Sequence, residues 1–492
     1  MPLPTIPSGN VASATAGGFS VANSCRFNDG DNAYMHKTPS GAGNQDVWTF
    51  STWFKRCGLA KEQALFVAGS DSSNATLIWF RNDDILEFSI YNSGTRNGRV
   101  QTSVKYRDVS AWYHLVVSYN SADGTAADRM KIYINGARVT DVATPTNPSS
   151  GQDSLVNHTS KHSVGSDGAI GFITGAGDFD GYMAETVLLD GTAATPTSFG
   201  EYDEDSPTIW KPIDVSGLTF GTNGFYLDYE DSANLGNDAN GGTDLTEVNL
   251  AAADQAVDTP TNNFCTLNPL FSVAKSSSAN YPPTYSEGNC KIVQSDNDTR
   301  IYSCNTIAMP PKGKWYMEVK FLSVNVCYAG IIDMDKVGAA AQGNVDLSSS
   351  GTTGYNQVVY QTNYIYAGTS TSYGDDLSTN DIMGLAWDAD NGALYLSING
   401  TWQNSGDPTS GASKTNAIDI SGQSWYSDVT AWSLCIGDGS TSNKDSLEVS
   451  FGGCPAFSIS SAQADDNGYG IFEYDVPAGY YSICTKNLAE YG

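Results

Sequence analysis

Residues 47–55 are Val47-Trp48-Thr49-Phe50-Ser51-Thr52-Trp53-Phe54-Lys55, and they decide the fold of the first half of the chain. Large apolar residues alternate there with small polar ones, which is the period of a half-buried β-strand. Similar stretches recur at residues 77–80, 85–90, 112–119, 130–134 and 185–189, and none shows the period of an amphipathic helix. The first half is therefore predicted to be a series of strands.

Two Asn-Gly pairs predict tight hairpins. Asn135-Gly136 separates apolar stretches in the first half, and Asn399-Gly400 follows a strand pattern in the second. A type I′ turn needs a positive φ at both central residues, which Asn and Gly tolerate best. Residues 314–321 and 393–398 also alternate, so the second half is predicted to consist of strands as well.

Length and spacing predict an all-β chain with two antiparallel β-sandwich (jelly-roll) domains in tandem and a short N-terminal arm. The 492 residues exceed what one hydrophobic core organises. We place the arm at residues 1–20, the first sandwich at 21–205, a loop-rich connecting segment packed on it at 206–264, and the second sandwich at 265–492.

Charge and composition exclude several classes of function. The chain holds 54 Asp and Glu against 25 Lys and Arg, a formal charge of −29. Such a charge repels phosphate backbones and anionic membranes, so we expect no nucleic-acid partner. No apolar run approaches the roughly 20 residues of a membrane helix, so we expect no membrane insertion. The N-terminus lacks a basic and apolar leader, which predicts a protein that the producing cell keeps in its cytosol or releases by lysis.

The nine cysteines are scattered singly, without a CxxC pair. The odd number and the apolar neighbours favour buried free thiols over a disulfide framework or a zinc site. One bridge in the second half stays open at this point, because seven of the nine lie after residue 260.

The first half resembles the concanavalin-A-like, laminin-G-like jelly-roll family. The resemblance rests on residues 47–54 and 112–119, on Lys-Ile-Tyr-Ile-Asn-Gly at 131–136, and on Phe-Asp-Gly-Tyr-Met-Ala-Glu at 179–185. Residues 265–492 resemble a SPRY domain, through Gly-Lys-Trp-Tyr-Met-Glu-Val at 313–319 and the stretches at 381–388, 392–402, 449–452, 477–480 and 484–488. Both resemblances imply binding modules.

The joining stretch resembles segments of tail-fibre and other virion proteins of marine phages. It comprises Phe-Tyr-Leu-Asp-Tyr-Glu-Asp-Ser at 225–232 and Leu-Gly-Asn-Asp at 235–238. The resemblance implies a virion surface adhesin, a tail fibre or receptor-binding component, that recognises a host cell-surface glycan or protein. It also implies docking to other virion proteins through the N-terminal arm and allows a homotrimer. A capsid decoration or head-fibre protein is the alternative, and a glycan depolymerase is less favoured.

Catalytic patterns are missing from the sequence. Glucanases of the jelly-roll fold place carboxylates on one strand as E-x-D-x-x-E, and nothing here matches. The nearest candidates are Asp178 and Asp180 with Glu185, and the acidic residues at 201–205. His158 and His162 lie in polar sequence, which favours a solvated loop over a metal pair, and His114 is predicted to be structural. We therefore expect no enzymatic activity.

Acidic loop residues of the first half suggest a calcium site, because Ca²⁺ prefers carboxylate and carbonyl oxygens. An acidic rim without an ion is the alternative. The candidates are Asp71, Asp83, Asp84, Asp167, Asp178 and Asp180, with Asn74 as an amide ligand.

Aromatic residues supply the candidate ligand contacts. Tyr and Trp in exposed loops stack on sugar rings and anchor interfaces, and the chain holds 27 Tyr and 10 Trp. The predicted binding residues are Tyr91, Tyr355, Tyr360, Tyr364, Tyr366, Tyr373, Trp402 and Trp425, with Tyr106 as a further loop candidate.

Overall fold

The computed structural model describes residues 18–166, 177–273, 283–293, 302–324, 327–336, 356–361, 363–367, 370–438 and 445–492. The chain divides into two compact units between Asn263 and Phe264. All pairings between the named strands are antiparallel. The predicted all-β fold with more than one sandwich is confirmed. Within the described ranges, no helix has the length and hydrophobicity of a membrane span.

Unit 1 contains seventeen described strands in chain order. They are β1 (Ser24–Phe27), β2 (Tyr34–Lys37), β3 (Val47–Arg56), β4 (Gln63–Asp71), β5 (Asn74–Phe80), β6 (Ile85–Asn92), β7 (Thr95–Lys105), β8 (Tyr113–Asn120), β9 (Met130–Ile134), β10 (Ala137–Arg138), β11 (Lys161–Val164), β12 (Gly181–Asp190), β13 (Gly200–Tyr202), β14 (Trp210–Pro212), β15 (Phe225–Leu227), β16 (Thr246–Val248) and β17 (Gln255–Ala256).

Two sheets face each other in unit 1. Sheet A has the order β10-β9-β8-β3-β12-β1-β17, with β15 on β12, and sheet B has the order β16-β2-β11-β4-β5-β6-β7. The side chains on one face of each sheet form the hydrophobic core between them, because successive side chains of a strand point to opposite faces. Phe50 of sheet A stacks on Phe66 of sheet B with 4.7 Å between ring centroids. The stretch at 47–55 lies at the centre of sheet A, between β8 and β12.

The first Asn-Gly pair forms the predicted hairpin turn. Asn135 and Gly136 have φ values of 48° and 80° and join β9 to β10. A side chain at Gly136 would collide with Trp210, since an added Cβ would lie 2.5 Å from the indole ring. Asn399 and Gly400 repeat this turn in unit 2, with φ values of 50° and 77°.

The segment at 206–264 is more than a loop-rich connection. Its strands complete both sheets of unit 1, because β15 pairs with β12, β16 with β2 and β17 with β1. Asp258 anchors its end, accepting from buried Lys55 Nζ at 2.7 Å and from Trp112 Nε1 at 2.9 Å. Strands of two or three residues carry too short a pattern for sequence periodicity to reveal them.

Unit 2 contains fifteen described strands and one helix. They are β18 (Leu267–Val273), β19 (Thr284–Ser286), β20 (Lys291–Val293), β21 (Tyr302–Asn305), β22 (Lys314–Phe321), β23 (Cys327–Asp333), β24 (Gln357–Gln361), β25 (Tyr364–Tyr366), β26 (Ser370–Ser372), β27 (Ile382–Asp388), β28 (Ala393–Ile398), β29 (Thr401–Trp402), β30 (Ile418–Asp419), β31 (Trp432–Asp438), β32 (Ser446–Ser450) and α1 (Thr485–Tyr491).

Unit 2 is a second sandwich. Sheet C has the order β18-β21-β31-β23-β24-β25-β26, and sheet D has the order β19-β20-β32-β22-β27-β28-β29, with β30 on β28. Trp315, Trp387 and Trp432 fill the core, and each is at most 1% exposed.

Each of the nine cysteines is buried. Burial raises the pKa of Cys304 and of Cys435 above the usual value for a thiol, which keeps both protonated.

Candidate functional site

The tyrosine-rich stretch of unit 2 lies largely inside the protein. Tyr360 and Tyr373 belong to the hydrophobic core, and the Tyr360 hydroxyl donates to the carbonyl oxygen of Asp375. Neither ring can stack on a ligand, which corrects the expectation for both residues. The side chain of Tyr360 faces inward because it follows Val358 at the period of two along β24.

The remaining aromatic candidates divide by exposure. Tyr364 on β25 is 43% exposed and available to a partner. Trp402 and Trp425 are half-buried against the clusters of unit 2. Tyr355 lies outside the described residues, as does the side chain of Tyr366. In unit 1, Tyr106 is buried, and Tyr91 packs against a buried apolar cluster.

Asp84 forms ion pairs with two arginines. Its carboxylate lies 3.1 Å from Arg56 Nη2 and 3.1 Å from Arg107 Nε, and it accepts from the backbone N–H of Ala60 at 2.8 Å. The neighbouring Asp83 is partly exposed and lies 3.5 Å from Arg81. Asp84 is therefore a structural acid, contrary to the calcium expectation.

The other acidic candidates do not converge. Asp71 caps the β4–β5 turn, where its carboxylate accepts from the backbone N–H groups of Ser73 and Asn74. Asp178 and Asp180 are buried just before β12, and Asp167 lies outside the described residues. No group of three or more His, Cys, Asp or Glu side chains within the described part of the chain could hold a metal ion. The calcium site therefore stays a prediction.

The side of sheet B that points away from the core carries a second apolar cluster, which is also buried. Val67 of β4 and Leu77 of β5 pair there and are almost fully buried. Ala64, Ala75 and Trp79 extend this apolar stripe, and Tyr91 of β6 packs against it. We call this surface, together with its flanking polar residues, the outer face of sheet B.

Two serines flank the apolar stripe in one cross-strand row. Ser163 of β11 pairs with Val67, Val67 with Leu77, and Leu77 with Ser89 of β6. Three strand spacings of about 4.8 Å put the two serines about 14 Å apart. Their neighbours Val164 and Phe88 belong to the core, so by alternation both serines point outward.

Three polar atoms on this face, in Trp79, Ser89 and Ser163, have no hydrogen-bond partner among the described residues. Ser89 is 0% exposed, Ser163 is 1% exposed and Trp79 is 9% exposed. Within the described structure, neither serine Oγ makes a hydrogen bond, and the indole Nε1 of Trp79 makes none either. An unpaired buried polar group costs about 1–3 kcal/mol. An unpaired buried polar group in a folded protein therefore needs an explanation. One explanation is a ligand that supplies the hydrogen-bond partner when it is bound.

Sequence reasoning found Tyr91 on this face but missed Trp79, Ser89 and Ser163. Each lies within or beside a stretch that was predicted as a strand or a loop, and serine is common in both. The sequence carries only part of the information that is needed to find this face. Alternation shows which residues of a strand share a face, but it does not show which strands are neighbours in the sheet.

Charged side chains border the outer face of sheet B. Glu87 is 1% exposed and accepts from Arg99 Nε at 3.1 Å and from Arg81 Nη1 at 3.4 Å. In the next row, Lys161 of β11 and Arg96 of β7 stand at the two ends, with Gly69, Ala75 and Tyr91 between them. Lys161 Nζ lies 4.8 Å from the ring centroid of Tyr34. Cations thus outnumber acids here.

A serine–histidine pair on sheet A looks catalytic but has the wrong tautomer. His114 Nε2 lies 2.9 Å from Ser51 Oγ, and Trp210 Nε1 donates to His114 Nδ1 at 2.9 Å. Indole nitrogen only donates, so Nδ1 carries no proton and the neutral ring holds its proton on Nε2. That nitrogen cannot accept the serine proton as a general base would. Burial lowers the pKa of His114 to about 3.

Two buried carboxyl groups are structural. Glu185 sits at a bulge of β12 with φ 49°, and its carboxyl accepts from the hydroxyl of Tyr226 at 2.7 Å. Burial raises the pKa of Glu185 to about 8. Glu318 of β22 accepts from the backbone N–H groups of Glu473 and Tyr474, which holds the C-terminal segment on sheet D. Burial raises the pKa of Glu318 to about 7.

A cavity of about 330 Å³ lies beside β9, lined by apolar residues that include Val100, Met130 and Ile132. The cations in its walls already have partners, because Lys131 pairs with Asp123 and Arg138 with Asp128. It offers weaker binding chemistry than the outer face of sheet B.

Comparison with known proteins supports the fold. Residues 29–196 match the laminin-G-type family described as the concanavalin A-like lectin/glucanases superfamily. No curated protein gives a match.

Solved structures show distant similarity. The SPRY domain of human HERC1 has 10% identity and a TM-score of 0.27 over 39% of this chain and 99% of that one. A putative carbohydrate binding protein from Bacteroides ovatus has 18% identity and a TM-score of 0.32 over 46% and 58%. Domains LG4-5 of the mouse laminin alpha1 chain have 8% identity and a TM-score of 0.31 over 88% of each. The antiparallel sandwich of unit 1 and the family match over residues 29–196 together show that this chain carries a concanavalin-A-like, laminin-G-like domain, a lectin-type fold.

Proposed function

We propose that this protein is a virion surface adhesin that binds a host cell-surface glycan through the outer face of sheet B. The observation that carries the proposal is the combination of the apolar stripe, two aromatic rings and three buried, unpartnered polar atoms on one face. Sugar rings stack on aromatic side chains, and their hydroxyls and ring oxygens pair with polar groups set beside such rings.

Each component of the face has a role in this proposal. Trp79 and Tyr91 provide ring faces at either side of Leu77 and Ala75. Ser89 and Ser163 provide hydroxyls at the two borders of the stripe. A ligand that forms hydrogen bonds with these hydroxyls would remove the free-energy cost of burying them unpaired. This gain in free energy would add to the affinity for the ligand.

The virion part of the proposal rests on the resemblance of residues 225–238 to phage virion proteins. The arm at residues 1–20 would dock the chain to other virion proteins, and a homotrimer would multiply the weak affinity of each site. The tautomer of His114 supports a role in binding without cleavage, because the serine–histidine pair lacks a base.

A glycan array tests the proposal. We expect the purified chain to bind a defined set of saccharides, and Trp79→Phe to lower that affinity about 3- to 10-fold, because phenylalanine keeps a ring but loses the N–H donor. The matched control is Trp402→Phe in unit 2, which should leave affinity unchanged.

Two outcomes contradict the proposal. No binding on the array would favour a protein receptor or a role as a capsid decoration protein. Equal losses of glycan affinity in Trp79→Phe and Trp402→Phe would show that the binding site is not on sheet B.

A further inference from the structure

Buried Lys55 contacts a carboxylate and an amide at the same time. Its Nζ lies 2.7 Å from Oδ2 of Asp258 and 2.8 Å from Oδ1 of Asn263. Both partners are more than 200 positions away along the chain, at separations of 203 and 208, and all three residues are at most 3% exposed. We infer that Lys55 and Asn263 form a covalent side-chain amide, an isopeptide cross-link, and that Asp258 catalyses its formation.

The fold of unit 1 brings the three side chains together. Phe54 belongs to the core, so by alternation along β3 the side chain of Lys55 lies on the opposite face of sheet A. Its strand partner Tyr182 packs beside it there, with the ring centroid 5.9 Å from Nζ. The end of the segment at 206–264 brings Asp258 and Asn263 to the same place.

Hydrogen bonds fix the orientation of both partners. Trp112 Nε1 donates to Oδ1 of Asp258 at 2.9 Å, and Oδ2 faces the lysine. Asn263 Nδ2 donates to the carbonyl oxygen of Ser110 at 2.7 Å, which turns the amide oxygen toward Lys55. Because a C=O bond is about 1.2 Å long, Cγ of Asn263 lies within about 4 Å of Nζ. This is close to the separation of roughly 3–3.5 Å from which bound groups react.

The reaction balances without an oxidant or a co-reactant. Asp258 takes a proton from the ammonium of Lys55, and the resulting amine attacks Cγ of Asn263. Asp258 then gives this proton to Nδ2, which leaves as ammonia while the Nζ–Cγ bond forms and the Cγ–Nδ2 bond breaks. The carboxylate finally takes the second proton that Nζ gives up. The products are a neutral amide, a neutral carboxylic acid and ammonia.

Burial favours the cross-link over the ion pair. Charged groups removed from water cost free energy, and the products carry no charge. Trp112 and Tyr182 are at most 3% exposed, and their ring centroids lie 6.4 Å apart beside the reacting groups. These rings exclude water, which would otherwise compete with the amine for Cγ of Asn263.

The cross-link would fasten the end of unit 1 to its central sheet. Asn263 is the last residue of unit 1, and β3 lies at the centre of sheet A. A covalent bond between them closes a loop of more than 200 residues, which restricts the unfolded chain as a disulfide does. It is independent of the proposed glycan binding.

The mass of the full chain under denaturing conditions tests the proposal. Wild type should be lighter than its sequence requires by one molecule of ammonia, and digestion should release a branched peptide that joins Lys55 to Asn263. Asn263→Ala keeps the ion pair of Lys55 and Asp258 but removes the reacting amide, so it should have the unreduced mass of its own sequence. The matched control Asn262→Ala changes the neighbouring buried amide and should keep the loss of ammonia.

Three results would overturn the proposal. The first is an unreduced mass for folded wild type, with Lys55 and Asn263 in separate linear peptides. The second is a loss of water in place of ammonia with Lys55 joined to Asp258, because Asp258 would then be the reacting group. The third is a loss of ammonia that persists in Asn263→Ala. If Asn263→Ala does not fold, the branched peptide of wild type still decides between a cross-link and an ion pair.

Discussion

At the scale of single residues, Asp84 is more important for stability than its place in an acidic loop indicated. The side chain of Arg56 is fully buried, and its guanidinium depends on Asp84 for a counter-charge. Asp84 also has a φ of 66°, a conformation that asparagine tolerates and most other residues do not.

Asp84→Asn should therefore destabilise unit 1 by about 3–5 kcal/mol, because it leaves a buried guanidinium without its counter-charge. Urea unfolding measures the change. Asp83→Asn, which alters a half-exposed neighbour, should cost less than about 1 kcal/mol. Equal effects of the two variants would show that the Arg56 ion pair is not important for stability.

His114 makes the stability of unit 1 depend on pH. Its pKa is about 3 in the folded protein and near 6.5 when unfolded, so the unfolded state binds the proton first as pH falls. Stability is therefore lost from about pH 6.5 downward, by about 2 kcal/mol at pH 5. Glu185 acts in the opposite direction, since its raised pKa favours folding at low pH.

The difference in unfolding free energy between pH 8 and pH 5 tests this. His114→Gln should reduce the loss by about 2 kcal/mol, whereas His158→Asn in a surface loop should change it less. An unchanged pH dependence in His114→Gln would contradict the buried neutral histidine.

At the scale of elements, the Asn135-Gly136 turn links the hairpin to its packing. Gly136 has a positive φ, and its hydrogen faces the ring of Trp210. Gly136→Ala should therefore cost about 1–3 kcal/mol, from backbone strain and from overpacking. Gly124→Ala is the matched control, since nothing lies within 4 Å of its added Cβ and its effect should be near zero. Similar unfolding midpoints for the two variants would contradict the turn geometry.

Local patterns predicted the elements but not their neighbours. The strand at 47–55 and both Asn-Gly turns are short-range signals that appear in the structure, but β3 is buried on both faces and is not the half-buried strand that was predicted. The row from Ser163 to Ser89 joins residues that are up to 96 positions apart in the sequence, and nothing in the sequence sets the order of their strands. Tyr360 and Tyr373 were misplaced for the same reason, because composition does not show which face a ring occupies.

At the scale of the whole molecule, the two sandwiches should fold independently. Each has its own core, and the chain divides between Asn263 and Phe264. Separately expressed fragments 1–263 and 264–492 should each unfold in one cooperative urea transition. Aggregation of both fragments, or non-cooperative melting, would contradict this organisation.

The most direct test of the binding face is the double variant Ser89→Ala and Ser163→Ala, compared with wild type in both glycan affinity and unfolding free energy. Removal of two unpartnered buried hydroxyls should stabilise the fold by about 1–3 kcal/mol while lowering affinity at least 3-fold. The control Ser51→Ala should do the reverse, because its hydroxyl accepts from His114: it should lose stability and keep affinity. Unchanged affinity in the double variant would contradict the outer face of sheet B as the binding site.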